Sequence, residues 1–209
     1  MFSSLVVLVG IAPFLTETVQ GRLLLPLGHV LVLLAAVAAV GRTVVPFVIA
    51  SLLGLPALAF QVMAVLGGDD PAHAFVLSSS FFLAFYLAAL VYLLRYVFSP
   101  DVMTDDKLFG AAAAYLMLGI AWAVAYGLVQ RLDPTAFGVK PGEALRSFHD
   151  LLFMSVGYLT SNGPGDIVVT GPKARTLATL EQLAGTLFVA ILIARLAGIY
   201  PSRGRVGRE

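Results

Sequence analysis

The chain has no cysteine, which excludes disulfides and thiolate metal sites. Charge is scarce too: 12% of its 209 residues are Asp, Glu, Lys or Arg, about half the share in soluble domains. A formal net charge of +1 offers no electrostatic footprint for nucleic acid. Met1 to Ser4 bring no basic residue and no small-x-small cleavage site follows, so no signal peptide is expected. Internal repeats and the alternating-strand pattern of outer-membrane barrels are missing as well. What is present is hydrophobicity. Apolar residues make up 59% of the chain, the mean hydropathy is +0.94, and hydrophobic runs recur along nearly the whole length. The expectation is an all-α, multi-pass protein of the cell membrane, surrounded by lipid, with about six transmembrane helices.

Five or six segments can be drawn. The first, Phe2 to Leu15, contains Pro13 and reaches spanning length of about 20 residues only by absorbing Thr16 to Gln20. Leu23–Val40, Val44–Leu66 and Ala72–Phe98 are clearer, with turn chemistry between them at Gly41-Arg42 and at Gly67-Gly68-Asp69-Asp70-Pro71. A polar linker, Ser99 to Lys107, launches a fifth span, Leu108–Gln130. The pattern then changes. Residues 131–147 form a loop rich in Pro, Gly and charge, and Phe148–Thr160 is an apolar stretch too short to cross a bilayer. A glycine-rich hexapeptide follows, Ser161-Asn162-Gly163-Pro164-Gly165-Asp166, and then a long helix from Lys173 to Tyr200. The tail carries Arg203, Arg205 and Arg208, which argues for a cytoplasmic C-terminus. Counting back puts Arg42 and Lys107 inside and Asp69 and Asp70 outside. Arg131, Lys140, Arg146, Lys173 and Arg175 also land outside, against the positive-inside rule. Three regions result: 1–99 with the N-terminal helices, 100–200 with the pore-like unit, and a basic tail over 201–209.

Non-helical backbone at membrane depth is tolerated only where protein buries it or where it lines a water-filled cavity. A helix, a short re-entrant helix, an irregular glycine-rich strand and a second helix therefore read as pore architecture on physical grounds.

The segment from Phe148 to Gly198, about a quarter of the chain, resembles the pore module of the tetrameric potassium channels. Leu159-Thr160-Ser161-Asn162-Gly163-Pro164-Gly165-Asp166 aligns without gaps on that family's Leu-Thr-Thr-Val-Gly-Tyr-Gly-Asp. Gly185 stands where the family has its hinge glycine, some five turns past the aspartate. Ala174-Arg175-Thr176-Leu177, Glu181 and Ile193-Ala194-Arg195-Leu196 are similar to its bacterial six-transmembrane branch. The resemblance implies a homotetramer with one pore loop from each chain. Potassium or sodium ions would pass Asp166 and Thr160 at the filter mouths. They would bind at Ser161, Asn162, Gly163, Pro164 and Gly165, where backbone carbonyls replace the hydration shell. Thr186, Val189, Ala190, Ile193 and Ala197 would line the cavity beyond, and Glu181 would support the filter from behind. No enzyme chemistry, organic substrate or cofactor other than the monovalent ions is implied. Two departures stand out. Asn162 replaces a valine and Pro164 replaces the tyrosine that braces the family's filter, so a loose, weakly potassium-selective pore is expected, with strict selectivity as the alternative.

Each signal also has a plainer reading. Gly-Pro-Gly-Asp alone is most often a turn, and a lone glycine in a membrane helix most often serves packing. Glu181 and Arg195 lie in an apolar helix, where ionisable residues point to function; the plain alternatives are an interfacial Glu181 and an Arg195 that snorkels. His29 and His73 read as interfacial. His149 and Asp150 open the short helix, where an acid suits the helix dipole. Ala72–Phe98 offers only Arg95, too few arginines for a voltage sensor. A rival of another class is a presenilin-like intramembrane aspartyl protease. Its Gly-x-Gly-Asp would be Gly163 to Asp166, and Leu55-Pro56-Ala57-Leu58 contains its Pro-Ala-Leu. In that family, however, Pro-Ala-Leu follows the catalytic motifs, whereas here it precedes them. The other candidate acid, Asp150, also lacks the expected Tyr-Asp pairing. A transporter or structural subunit with a re-entrant loop is the third reading.

Overall fold

The computed structural model describes residues 2, 3, 5, 6, 10, 44–66, 70–99 and 104–198. The segments expected at 11–43, the Gly67-Gly68-Asp69 turn, His29 and the arginine tail lie outside them. Five helices follow in order: α1 Val44–Leu66, α2 Pro71–Val97, α3 Asp105–Leu132, α4 Phe148–Leu159 and α5 Pro172–Gly198. Among the described residues there is no strand. α2, α3 and α5, at 26 to 28 residues, are long and apolar enough to cross a membrane.

Local chemistry sets the helix ends. Asp70 caps α2 by accepting from the His73 backbone N–H at 3.0 Å, with proline in the first turn. α3 begins three residues before the expected Leu108 because Thr104 caps it and Asp105 and Asp106 suit the positive end of the helix dipole. α4 opens with a reciprocal capping box. Ser147 Oγ accepts from Asp150 N, and Asp150 accepts from Ser147 N.

Consecutive helices pack on one another, and α3 also touches α5. The core is carried by Phe82, Phe85 and Tyr86 of α2, Met117, Ile120 and Tyr126 of α3, and Leu151, Leu152 and Met154 of α4. The loop after α3 belongs to it as well, because Phe137 is fully buried and meets the Tyr126 ring edge-on at 5.5 Å. Two ties hold that loop in place. Gln130 exchanges hydrogen bonds with the Arg146 backbone at 2.9 and 3.1 Å. The Ala136 carbonyl accepts from Thr170 and Gly171, just before α5.

α5 is attached by a single stripe. Its buried residues, Ala174, Ala178, Glu181 and Gly185, recur every three or four positions and so share one face. Leu180, Leu183, Leu187 and Ile191 on its other faces stay half-exposed or more.

Candidate functional site

The last turn of α4 and the hexapeptide after it form one unit. Thr160 caps the helix, and its Oγ1 donates back to the Val156 carbonyl at 2.7 Å. The backbone then changes hand at every residue. Ser161, Gly163 and Gly165 carry φ of 60°, 91° and 67°, while Asn162 and Pro164 between them stay negative. Such alternation can neither continue a helix nor join a sheet, and glycine supplies two of the three left-handed positions at no steric cost. Ser161 has no such licence. A non-glycine residue there costs roughly 1–2 kcal/mol, the kind of strain that gathers at functional sites.

The loop is pinned to the helix. Both Asn162 N–H and Gly163 N–H donate to the Gly157 carbonyl, at 2.8 and 3.1 Å. The Gly163 carbonyl oxygen in turn rests so close to Gly157 Cα that a methyl group at 157 would overlap it. This carbonyl is therefore turned toward α4, whereas the resemblance implies that it faces the ions together with its neighbours from Ser161 to Gly165. The Ser161 and Asn162 carbonyls accept no hydrogen bond among the described residues, and Pro164 O receives only a long one from Ile167 N, at 3.4 Å. Asn162 places its amide on the Thr160 hydroxyl, Nδ2 to Oγ1 at 2.9 Å, so that side chain has a partner of its own. No tyrosine ring braces the loop. Instead the Phe153 ring lies under Gly165, where an added Cβ would collide with it. Asp166 is exposed at the end of the run.

Behind the loop sits a buried polar cluster. Glu181 of α5 has no exposed surface. One of its carboxylate oxygens is in short contact with Ser155 Oγ on α4, and the other accepts from Tyr126 Oη on α3. Ser155 Oγ also lies 2.9 Å from the Gly119 carbonyl. Glu181 thus bonds directly to the short helix and is no interfacial side chain. One turn further along α4, Tyr115 Oη donates to the Leu159 carbonyl at 2.7 Å. Gly185 lies against the Leu159 backbone, where a Cβ would overlap the carbonyl. α5 runs unbroken through Gly185, so its visible role is to let two helices touch. The Ser161 hydroxyl reaches Thr186 Oγ1 at 3.4 Å and links the loop to α5. Thr186, Val189, Ala190, Ile193 and Ala197 are all exposed in the single chain.

Sequence reasoning passed over Tyr115, Tyr126, Ser155 and Gly157. One signal was available for the tyrosines: eleven residues apart is about three helical turns, so both lie on one face of α3. Arg195 finds its partners within the protein. Its Nη1 donates to Phe98 O at 2.8 Å, its Nη2 to Ser99 O, and its guanidinium lies 5.6 Å from the Phe98 ring centre. The protease reading loses its second acid, since Asp150 is engaged in the α4 capping box. Ala57 of the Pro-Ala-Leu run is buried inside α1, with its carbonyl bonded to Ser78. No group of three or more His, Asp or Glu that could hold a metal occurs among the described residues. Neither a protein-family model, nor a curated protein, nor a solved structure matches the chain.

Proposed function

We propose that the chain is one subunit of a homotetrameric, potassium-channel-like cation channel, in which α4 is a re-entrant pore helix and Ser161 to Gly165 the filter. The observation that carries this reading is the alternating loop, pinned to α4 at the Gly157 carbonyl, with α4 in turn held by Glu181 through Ser155 and by Tyr115 at Leu159. An irregular strand with free carbonyls is costly in an apolar protein unless it lines water or binds ions. A rigid support is what fixed carbonyl positions require.

Ions are the cargo here. They enter past Asp166 and meet the free carbonyls of Ser161 and Asn162, with the Ser161 hydroxyl close by, before reaching the space bounded by Thr186 and Ile193. One loop encloses nothing, so four copies around an axis are needed. The stack of sites is short, because Gly163 turns its oxygen to α4 and Pro164 has no phenol to hold the strand taut. A short, loosely braced stack discriminates weakly between potassium and sodium.

Reversal potentials of the purified protein in planar bilayers, under opposed potassium and sodium gradients, test this. A potential well short of the potassium Nernst value is expected, and Asn162→Val with Pro164→Tyr should move it toward that value. A parent channel already at the Nernst value overturns weak selectivity. Complete absence of cation current from tetrameric protein overturns the channel itself.

A further inference from the structure

At the end of the bundle where α1 stops, α2 starts and α3 stops, the helices do not close. A cavity of about 610 Å³ opens there, lined by residues of α1, α2, α3 and the start of α4. That volume falls within the range of about 300–1,000 Å³ typical of ligand sites. We infer that this cavity binds one anionic phospholipid, its phosphate at Arg131 and Arg146 and an acyl chain running down between α2 and α3.

Charge is confined to the rim. Gln130, Arg131, Arg146 and Ser147 stand at the helix ends, Ser78 and Ser79 lie about two turns in along α2, and Phe82 and Ala123 line the deep part. Along α3 the lining descends from Arg131 to Ala123, eight residues or about 12 Å. Along α2 it descends from Ala72 to Phe82, about 15 Å. The hydrocarbon core is about 30 Å thick, so the cavity has the depth of one leaflet, with its basic groups at headgroup level.

The charge is one-sided. Both arginines line the cavity, and among the described residues no Asp or Glu does. Neither guanidinium meets a carboxylate among the described residues. Arg131 lies 4.4 Å over the Phe75 ring, and Arg146 bonds through Nε to the Phe137 carbonyl at 3.3 Å. Arginine's planar fork suits a phosphate, and both forks keep donors to spare. Asp70 and Asp150, on helices bordering the cavity, are committed to their own caps. One buried acceptor, Gln61 Oε1, faces no donor, a need that a glycerol headgroup hydroxyl would meet. A neutral sterol or alkane would leave the arginines unanswered.

The inference is independent of ion conduction and stands or falls apart from it. Native mass spectrometry of the delipidated protein in detergent tests it, by titration with phosphatidylglycerol, with phosphatidylcholine of the same chains, and with inorganic phosphate. Phosphatidylglycerol should be retained at one per chain, at least about tenfold more tightly than phosphatidylcholine, as a charge-assisted phosphate contact implies. Arg131→Gln should weaken it by roughly tenfold, with helix content by circular dichroism unchanged. Gly127→Leu should exclude both lipids while the arginines remain. A Cβ at 127 meets only Leu151, at an ordinary 3.9 Å, so the larger side chain has the cavity to fill. Equal retention of the two phospholipids, or phosphatidylglycerol retention untouched by Arg131→Gln, overturns the proposal. Displacement of lipid by inorganic phosphate at equal concentration overturns the role of the acyl chain. If Gly127→Leu does not fold, the arginine variant alone decides.

Discussion

A carboxyl group with no exposed surface is expensive unless its oxygens find donors, and Glu181 has hydroxyls where a cation might be expected. Ser155 has one proton to give and faces two acceptors, so the cluster works as a unit in which each member fixes the others. Glu181→Gln preserves shape and an acceptor, and the amide can donate to the serine. Glu181→Ala strands Tyr126 Oη at a cost of about 1–3 kcal/mol, with the cavity in addition. The expected result is a midpoint of thermal unfolding close to the parent's for Gln and clearly lower for Ala. An equal loss in both variants would mean that charge, and not hydrogen-bond geometry, holds the cluster. The sequence marked Glu181 because acids are rare in apolar helices. Its partners were illegible, since Ser155 and Tyr126 are ordinary residues until α3, α4 and α5 come together. The same holds for Gly157. Nothing in its neighbourhood announces that a carbonyl six residues later must rest on its Cα.

Helix boundaries were largely legible, because Gly67 to Pro71 and the polar stretches at 99–107 and 131–147 interrupt the apolar runs, although the Thr104 cap starts α3 three residues before the expected Leu108. Joints between elements were not. Ser99, at the end of α2, is gripped from two sides. Lys107 of α3 is buried and donates to its hydroxyl at 2.8 Å, and Arg195 of α5 donates to its carbonyl. Both cations sit where the C-terminal carbonyls of α2 carry partial negative charge. Ninety-six residues separate Arg195 from Ser99, and no sequence pattern links them. This joint ties the last turns of α5 to α2, so movement of one carries to the other. Arg195→Gln loses the fork and the cation. It should lower the unfolding midpoint by an amount that reflects about 1.5–3 kcal/mol and raise proteolytic cleavage at the C-terminal end of α2. Unchanged stability together with unchanged cleavage would show that the clamp carries no weight.

For the whole molecule, the decisive numbers are how few charges α2 carries and how little of α5 is covered. α5 is held by one narrow stripe, with Leu183, Leu187 and Ile193 more than half exposed. In the proposed assembly those faces meet lipid or other copies. The sequence implied such a bundle from composition, but which face of α5 turns inward emerged only from contacts with α3 and α4. If the proposed function holds, α2 is the element in which a voltage sensor would be sought. Its one arginine, Arg95, lies in the last turn, exposed and away from the helix centre. Moving one elementary charge through 100 mV supplies only about 2.3 kcal/mol, and steep gating needs about 3–4 such charges in each subunit. If α2 spans the bilayer, Arg95 in its last turn stands at the end of the span and crosses little of the field. Open probability in single-channel records should therefore vary less than about tenfold between −100 and +100 mV. Mild rectification fits this expectation, since it can arise within the pore. Activation equivalent to several elementary charges per subunit would place a sensor elsewhere in the chain and refute the expected voltage insensitivity.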